Sequence, residues 1–225
     1  MIFTTNSLSA LRQPEFEIQL NNHEFAQVDF DFLNHALVEM ARSGATFAPG
    51  QLIQIGWIAC RITSNGHTFG LEEPDFEMFP IRWIPGATTT MMHLRIHTYV
   101  ADSLDLGDAI QHASIFQSAV VCDRFSLTSG IYMERVSPTD EDDSGWNILC
   151  ADPEHAHNDA STLRRESIYE VALVNPNVHL FVGLPHSSSL LLPYKGFPQF
   201  FLQGKRLPIA KESYLDRRFY SIRPH

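Results

Sequence analysis

Three groups of residues have types and spacings that suit chemistry. His93 and His97 stand four apart. On a helix that spacing puts both imidazoles on one face, where a metal would bridge them. The zinc-protease pattern also requires Glu directly after the first His, and Leu94 stands there instead. Two polar residues on a helix flank are the simpler reading of the pair. The second group is the acidic run Asp140-Glu141-Asp142-Asp143, followed by Ser144-Gly145-Trp146. Read as a calcium loop from Asp140, the run has oxygens at the first, third and fifth places (Asp140, Asp142, Ser144) and glycine at the sixth (Gly145). The twelfth place is Ala151, which has no carboxylate to close the shell. A solvated turn between strands is the simpler reading. The third group, His155-Ala156-His157-Asn158-Asp159 with Asp152 before it, is the better metal candidate by composition. It supports the alternative of a metal-dependent hydrolase using His155, His157 and nearby acids.

Nucleophiles are not signalled. Gly-x-Ser-x-Gly is missing, and Ser187-Ser188-Ser189 reads as a loop. Cys60, Cys122 and Cys150 are odd in number, widely spaced and set in apolar runs. That pattern predicts free buried thiols in a reducing compartment rather than disulfides or a zinc knuckle. Asp152, near Cys150, would raise that thiol's pKa rather than activate it. Neither a phosphate loop nor a dinucleotide fingerprint is found. These patterns predict no catalytic residues, no bound metal and no cofactor.

The elements that must carry these residues are legible in outline. The 225 residues are 44% hydrophobic and 19% charged, enough apolar material for a core without staples. Residues 16–20 alternate as a short strand. Asp29 is placed to cap a helix over 30–42, with Leu33, Leu37 and Met40 on one face, ended by Ser43-Gly44. A central strand is predicted over 52–63. Asn65-Gly66 then suits a tight type I′ turn into a strand over 68–72. A third strand over 79–84 leads to a helix capped by Thr88 or Thr89. After a connection at 105–117, strands are predicted at 119–123, 131–136 and 146–151, a helix at 165–174 and late strand material at 190–192 and 197–202. The fold class is therefore α+β: two αβ halves, 1–107 and 115–225, with mainly antiparallel sheets flanked by a few helices.

The formal net charge of −10 argues against nucleic acid or an anionic membrane as partner, since both are polyanions. The basic end, Arg217-Arg218 with Arg223, is too short to bind nucleic acid. The start, Met1-Ile2-Phe3-Thr4-Thr5-Asn6, lacks the basic segment and apolar run of a secretory leader. No apolar run reaches the roughly 20 residues needed to span a bilayer. The chain is read as cytoplasmic. What remains for the acids is interaction. A docking surface is assigned to Asp140, Glu141, Asp142 and Asp143, with Asp152 and Glu154 of the polar loop. Gly145 serves as the turn residue beside them, and Trp146, in phase with Ile148, as a buried anchor.

The C-terminal half resembles the immunity protein 33 family (domain of unknown function 2185) of bacterial polymorphic toxin systems. The likeness lies in Val120-Val121-Cys122, Tyr132-Met133-Glu134-Arg135, Pro138 leading to Asp143-Ser144-Gly145-Trp146, Asp152, Ser167-Ile168-Tyr169-Glu170 and Phe181-Val182-Gly183-Leu184-Pro185. It covers residues 90–220 and is most specific over 118–185. Asn147-Ile148-Leu149 departs from the more aromatic strand of the family pattern. The N-terminal half, with Ile53-Gln54-Ile55-Gly56-Trp57, Glu73-Pro74-Asp75-Phe76 and Pro80-Ile81-Arg82-Trp83, looks like the region preceding this domain in longer members. The resemblance implies a non-catalytic protein that neutralises a cognate toxin by covering it. A regulatory subunit bound to an unrelated protein is a further alternative.

Overall fold

The computed structural model describes residues 1–21, 25, 27–125, 130–157 and 159–220. Asn158 and Arg223, named above, lie outside them. The chain is an α+β protein with two compact units, Met1–Arg95 and Ile96–His225. The boundary falls inside a helix rather than at the connection 107–115. The cause is local: beyond Arg95, that helix makes its hydrogen bonds with unit 2, through His97 to His179 and through Ser103 to residues 210 and 215.

In unit 1, β1 (Ile2–Thr4) pairs antiparallel with β2 (Glu17–Gln19). Helix α1 (Gln27–Arg42) buries Phe30, Leu33, Leu37 and Val38, a single face at helical spacing. Asp29 sits within its first turn, not at its cap, and pairs with Arg95. The strands β3 (Leu52–Ile55), β4 (Ile58–Ser64), β5 (Phe69–Pro74) and β6 (Trp83–Pro85) form an antiparallel meander. The single strand expected over 52–63 is thus a hairpin turning at Gly56-Trp57, and Ile55 pairs with Ile58. The hairpin at Asn65-Gly66 is present. Its loop spans four residues rather than two, with Ser64 opposite Phe69.

Helix α2 (Thr88–Ser103) is capped from outside its own sequence. The Glu73 carboxylate on β5 accepts from Thr89 N at 2.9 Å, Thr90 N at 2.7 Å and Thr90 Oγ1 at 2.9 Å. Thr88, expected to cap, instead accepts from Asn21 N. Glu73 is buried. Burial raises its carboxyl above the usual range against the pull of those amide bonds. Glu73→Ala should cost about 1–3 kcal/mol in urea unfolding, because two helix-terminal amides lose their acceptor in a dry site. Glu73→Gln, which keeps an acceptor oxygen, should cost less.

In unit 2, β7 (Ser118–Cys122), β8 (Ile131–Arg135), β9 (Asp143–Cys150), β10 (Leu163–Ser167), β11 (Ser188–Leu192), β12 (Gln199–Leu202) and β13 (Lys205–Leu207) make one sheet. Its order is β10-β7-β9-β8-β11-β12-β13. Every pairing is antiparallel except β7 with β9. Phe200, Leu190, Met133, Ile148 and Val121 lie side by side across five strands and are all buried, so one row of the core crosses the sheet. Helix α3 (Ile168–Val174) packs on β7 and β10, and α4 (Tyr214–Tyr220) follows the last strand. The helix expected over 165–174 is strand through Ser167. There a capping box, in which Ser167 and Glu170 each accept from the other's backbone amide, fixes the start of α3. Among the described residues, no helix is long and apolar enough to cross a membrane.

Candidate functional site

Strand β9 carries the two features of chemical interest at its two ends. At its start, Asp143 is not part of an exposed acidic surface as expected; it is buried. Its Oδ2 accepts from Thr139 N at 2.9 Å and Thr139 Oγ1 at 3.0 Å, its Oδ1 accepts from Gly145 N at 3.0 Å, and Arg165 lies 3.8 Å away. Burial opposes its charge, but these bonds outweigh it and hold the carboxyl below the usual range. Asp140, Glu141 and Asp142 are exposed. Their backbone is tied to the start of β7: Ser118 N donates to Asp142 O at 2.7 Å, and Gln117 Nε2 donates to Glu141 O at 2.9 Å. The result is an exposed ridge of three carboxylates on a fixed turn.

Trp146 fills the core behind that turn. It is 1% exposed, donates its indole N–H to Val182 O at 3.4 Å and lies under the Arg135 guanidinium. Arg135 is itself buried and donates to the carbonyls of Gln111, Leu184 and Ser144. Burial lowers it to about 10, which leaves it charged at neutral pH.

At the far end of β9 the structure assembles a cluster. Because β7 and β9 run parallel, their last residues, Cys122 and Cys150, emerge at the same end of the sheet. The loop after β9 folds back to bring His155 Nδ1 and His157 Nε2 each to 3.2 Å from Cys150 Sγ. Cys150 N donates to Cys122 Sγ at 3.1 Å. One donor atom from each of the four residues lies within 4.8 Å of the other three. Behind them, His155 Nε2 stands 3.0 Å from Asp123 Oδ1. A carboxylate only accepts, so Nε2 carries the proton and the Nδ1 lone pair faces Cys150. Asp152 and Glu154, assigned to the docking surface, also belong to this loop. Asp152 accepts from Glu154 N at 3.0 Å, and Glu154 is exposed. They lie one strand length from the ridge, about 23 Å at the usual rise per residue. With Asp143 buried, the other five acids form two separate patches.

The histidine pair at 93 and 97 is divided between different tasks. His93 Nδ1 accepts from Trp57 Nε1 at 3.0 Å. His97 Nε2 donates to His179 O at 2.6 Å, and its Nδ1 accepts from His112 Nε2 at 2.9 Å. Of the thiols, Cys60 is pushed up to about 12, chiefly by burial, so it is no nucleophile at neutral pH.

No protein-family model, curated protein or solved structure matches this chain. The reading of its function therefore rests on the residues and their arrangement.

Proposed function

We propose that the chain is an immunity protein, a non-catalytic cytoplasmic binder that neutralises a cognate bacterial toxin by covering it. The resemblance of residues 118–185 supplies the class. The observation that carries the reading is the exposed ridge of Asp140, Glu141 and Asp142 on a turn fixed by Asp143, Ser118 and Gln117. Three carboxylates held in place attract a basic partner from a distance. Because the turn is already ordered, little conformational entropy is lost on docking. The net charge of −10 has the same sign and disfavours nucleic acid as partner.

The test starts from the neighbouring genes: a toxin-domain protein encoded there should co-purify with this chain on co-expression, and neighbours that encode no such protein count against the reading. Reversing Asp140, Glu141 and Asp142 to Lys should slow association about tenfold or more at low salt and flatten its salt dependence. Reversing Asp152 and Glu154 tests the second patch separately. If neither set changes association, the acidic surfaces are not the interface.

The hydrolase reading now has a specific observation to meet. His155 and His157 do converge, but Cys122 and Cys150 converge with them. Four protein donors around one point leave no position for water or substrate, as in closed structural sites rather than open catalytic ones.

A further inference from the structure

We propose that Cys122, Cys150, His155 and His157 bind one Zn²⁺ ion as a closed tetrahedral site that pins the loop after β9 to the ends of β7 and β9. The inference is independent of the toxin reading. It stands on four observations.

The first is the donor set. Two thiols and two imidazoles are the nitrogen and sulfur ligands zinc prefers in structural sites, and the softness of sulfur selects against calcium and magnesium. The second is distance. Zinc bonds of about 2.3 Å to sulfur and 2.0–2.1 Å to nitrogen, at tetrahedral angles, set ligand atoms about 3.4–3.8 Å apart. Cys150 Sγ lies 3.2 Å from both histidine nitrogens, so these two pairs have to open by only a few tenths of an ångström, and all four donor atoms lie within 4.8 Å of one another.

The third is the shell behind the donors. Asp123 accepts the His155 Nε2 proton at 3.0 Å, which fixes the tautomer that aims Nδ1 inward. Carboxylates behind metal-bound histidines act in this way. The Cys150 backbone amide donates to Cys122 Sγ at 3.1 Å, which fixes that sulfur beside Cys150. The fourth is burial. Both cysteines and His155 are buried and His157 is half-buried. A surface scatter of polar residues would be open to water, whereas three of these four donors are buried.

The parallel pairing of β7 and β9 is what makes the site possible. Among the described residues it is the one parallel pair in a sheet that is otherwise antiparallel, and it places the ends of two strands together. Binding displaces one proton from each thiol to solvent, while both histidines enter as neutral ligands.

The experiment uses the full untagged chain, purified under reducing conditions. Elemental analysis should find about one zinc per chain. Replacing zinc by Co²⁺ should produce the visible ligand-field bands of a tetrahedral site and a near-ultraviolet sulfur-to-cobalt charge-transfer band. Cys150→Ser and His157→Gln should each abolish or shift those bands. Cys60→Ser, whose sulfur lies near Thr90 at 3.4 Å in unit 1, should leave them unchanged. Asp123→Asn should weaken zinc binding about 10- to 100-fold. The wild-type measurements need no variant to fold. Reduced wild-type protein that holds no zinc and gives no cobalt bands overturns the proposal. Bands that survive unchanged in both Cys150→Ser and His157→Gln overturn it equally.

Discussion

Gly145→Ala is expected to destabilise the protein by roughly 3–5 kcal/mol, with the loss measured as a shift in the urea midpoint at unchanged slope. Two costs combine. Gly145 has φ +75°, a conformation that a side chain makes unfavourable by about 1–2 kcal/mol. An added Cβ would also land well inside contact distance of Val136 O. That carbonyl cannot easily withdraw, because the two backbones are locked: Val136 N donates to Gly145 O at 2.9 Å. Gly204 separates the terms. Its φ is +73°, nearly the same, but a Cβ there meets nothing within 4 Å. Gly204→Ala should therefore show the backbone cost alone, and the difference between the two variants measures the collision. A Gly145→Ala variant no less stable than Gly204→Ala would show that the Val136 backbone yields. The substitution should also disturb the ridge, since Gly145 N is one of the donors that hold Asp143. In the proposed complex, association should slow even where the variant remains folded.

How far the sequence discloses this arrangement depends on the range of the signal. Local signals read well. The face of α1 follows from spacing, and the pairing of β4 with β5 follows from Asn65-Gly66. Signals that need a partner from elsewhere do not. The cap of α2 is a glutamate on β5, while two threonines beside the helix offer a nearer and wrong answer. The four acids at 140–143 look like one feature, yet the fold turns Asp143 inward and makes it the fastener of the other three. The strand before α3 was within reach. Ser167-x-x-Glu170 is a capping-box pattern and marks the helix start two residues beyond Arg165. The Cys/His cluster is the largest omission. Its four residues come from three segments, and only the parallel pairing of β7 with β9 unites them. The usable hint was a cysteine ending each of two strands, the second followed within seven residues by His-x-His.

The second large effect expected is a loss of stability on mild acidification, beginning at pH 6.5. In unit 2, burial holds His97 down to about 3, helped by His112, whereas the carbonyl of His179 pulls the other way. Burial likewise lowers His112 to about 4, with Arg135 adding to it, and His179 to about 4, with Arg218 adding to it. The geometry agrees with neutral rings. His97 gives its single proton to His179 O and accepts from His112, so a second proton on His97 would break the relay. Unfolded, each ring would titrate near 6.5. Below that pH the unfolded chain takes up protons that the native state refuses. The stabilisation is therefore complete above 6.5 and is lost as pH falls toward the native values. Between pH 7 and 5 the loss should be about 2 kcal/mol for His97, with less from each of the two half-buried rings. Carboxylates such as Asp143, held below their usual range, lose their contribution only at lower pH, so the first part of the decline belongs to histidine. Urea unfolding at steps from pH 7 to 5 gives the number of protons taken up. His112→Gln keeps an N–H donor for His97 but cannot titrate, so it should lower that number by nearly one in this window. An unchanged proton count would exclude His112 from the effect. Gly183→Ala probes the same relay mechanically: its Cβ would meet His97 Nδ1 at 2.9 Å and His112 Cδ2 at 3.3 Å, which should push the two rings apart and weaken the hydrogen bond between them.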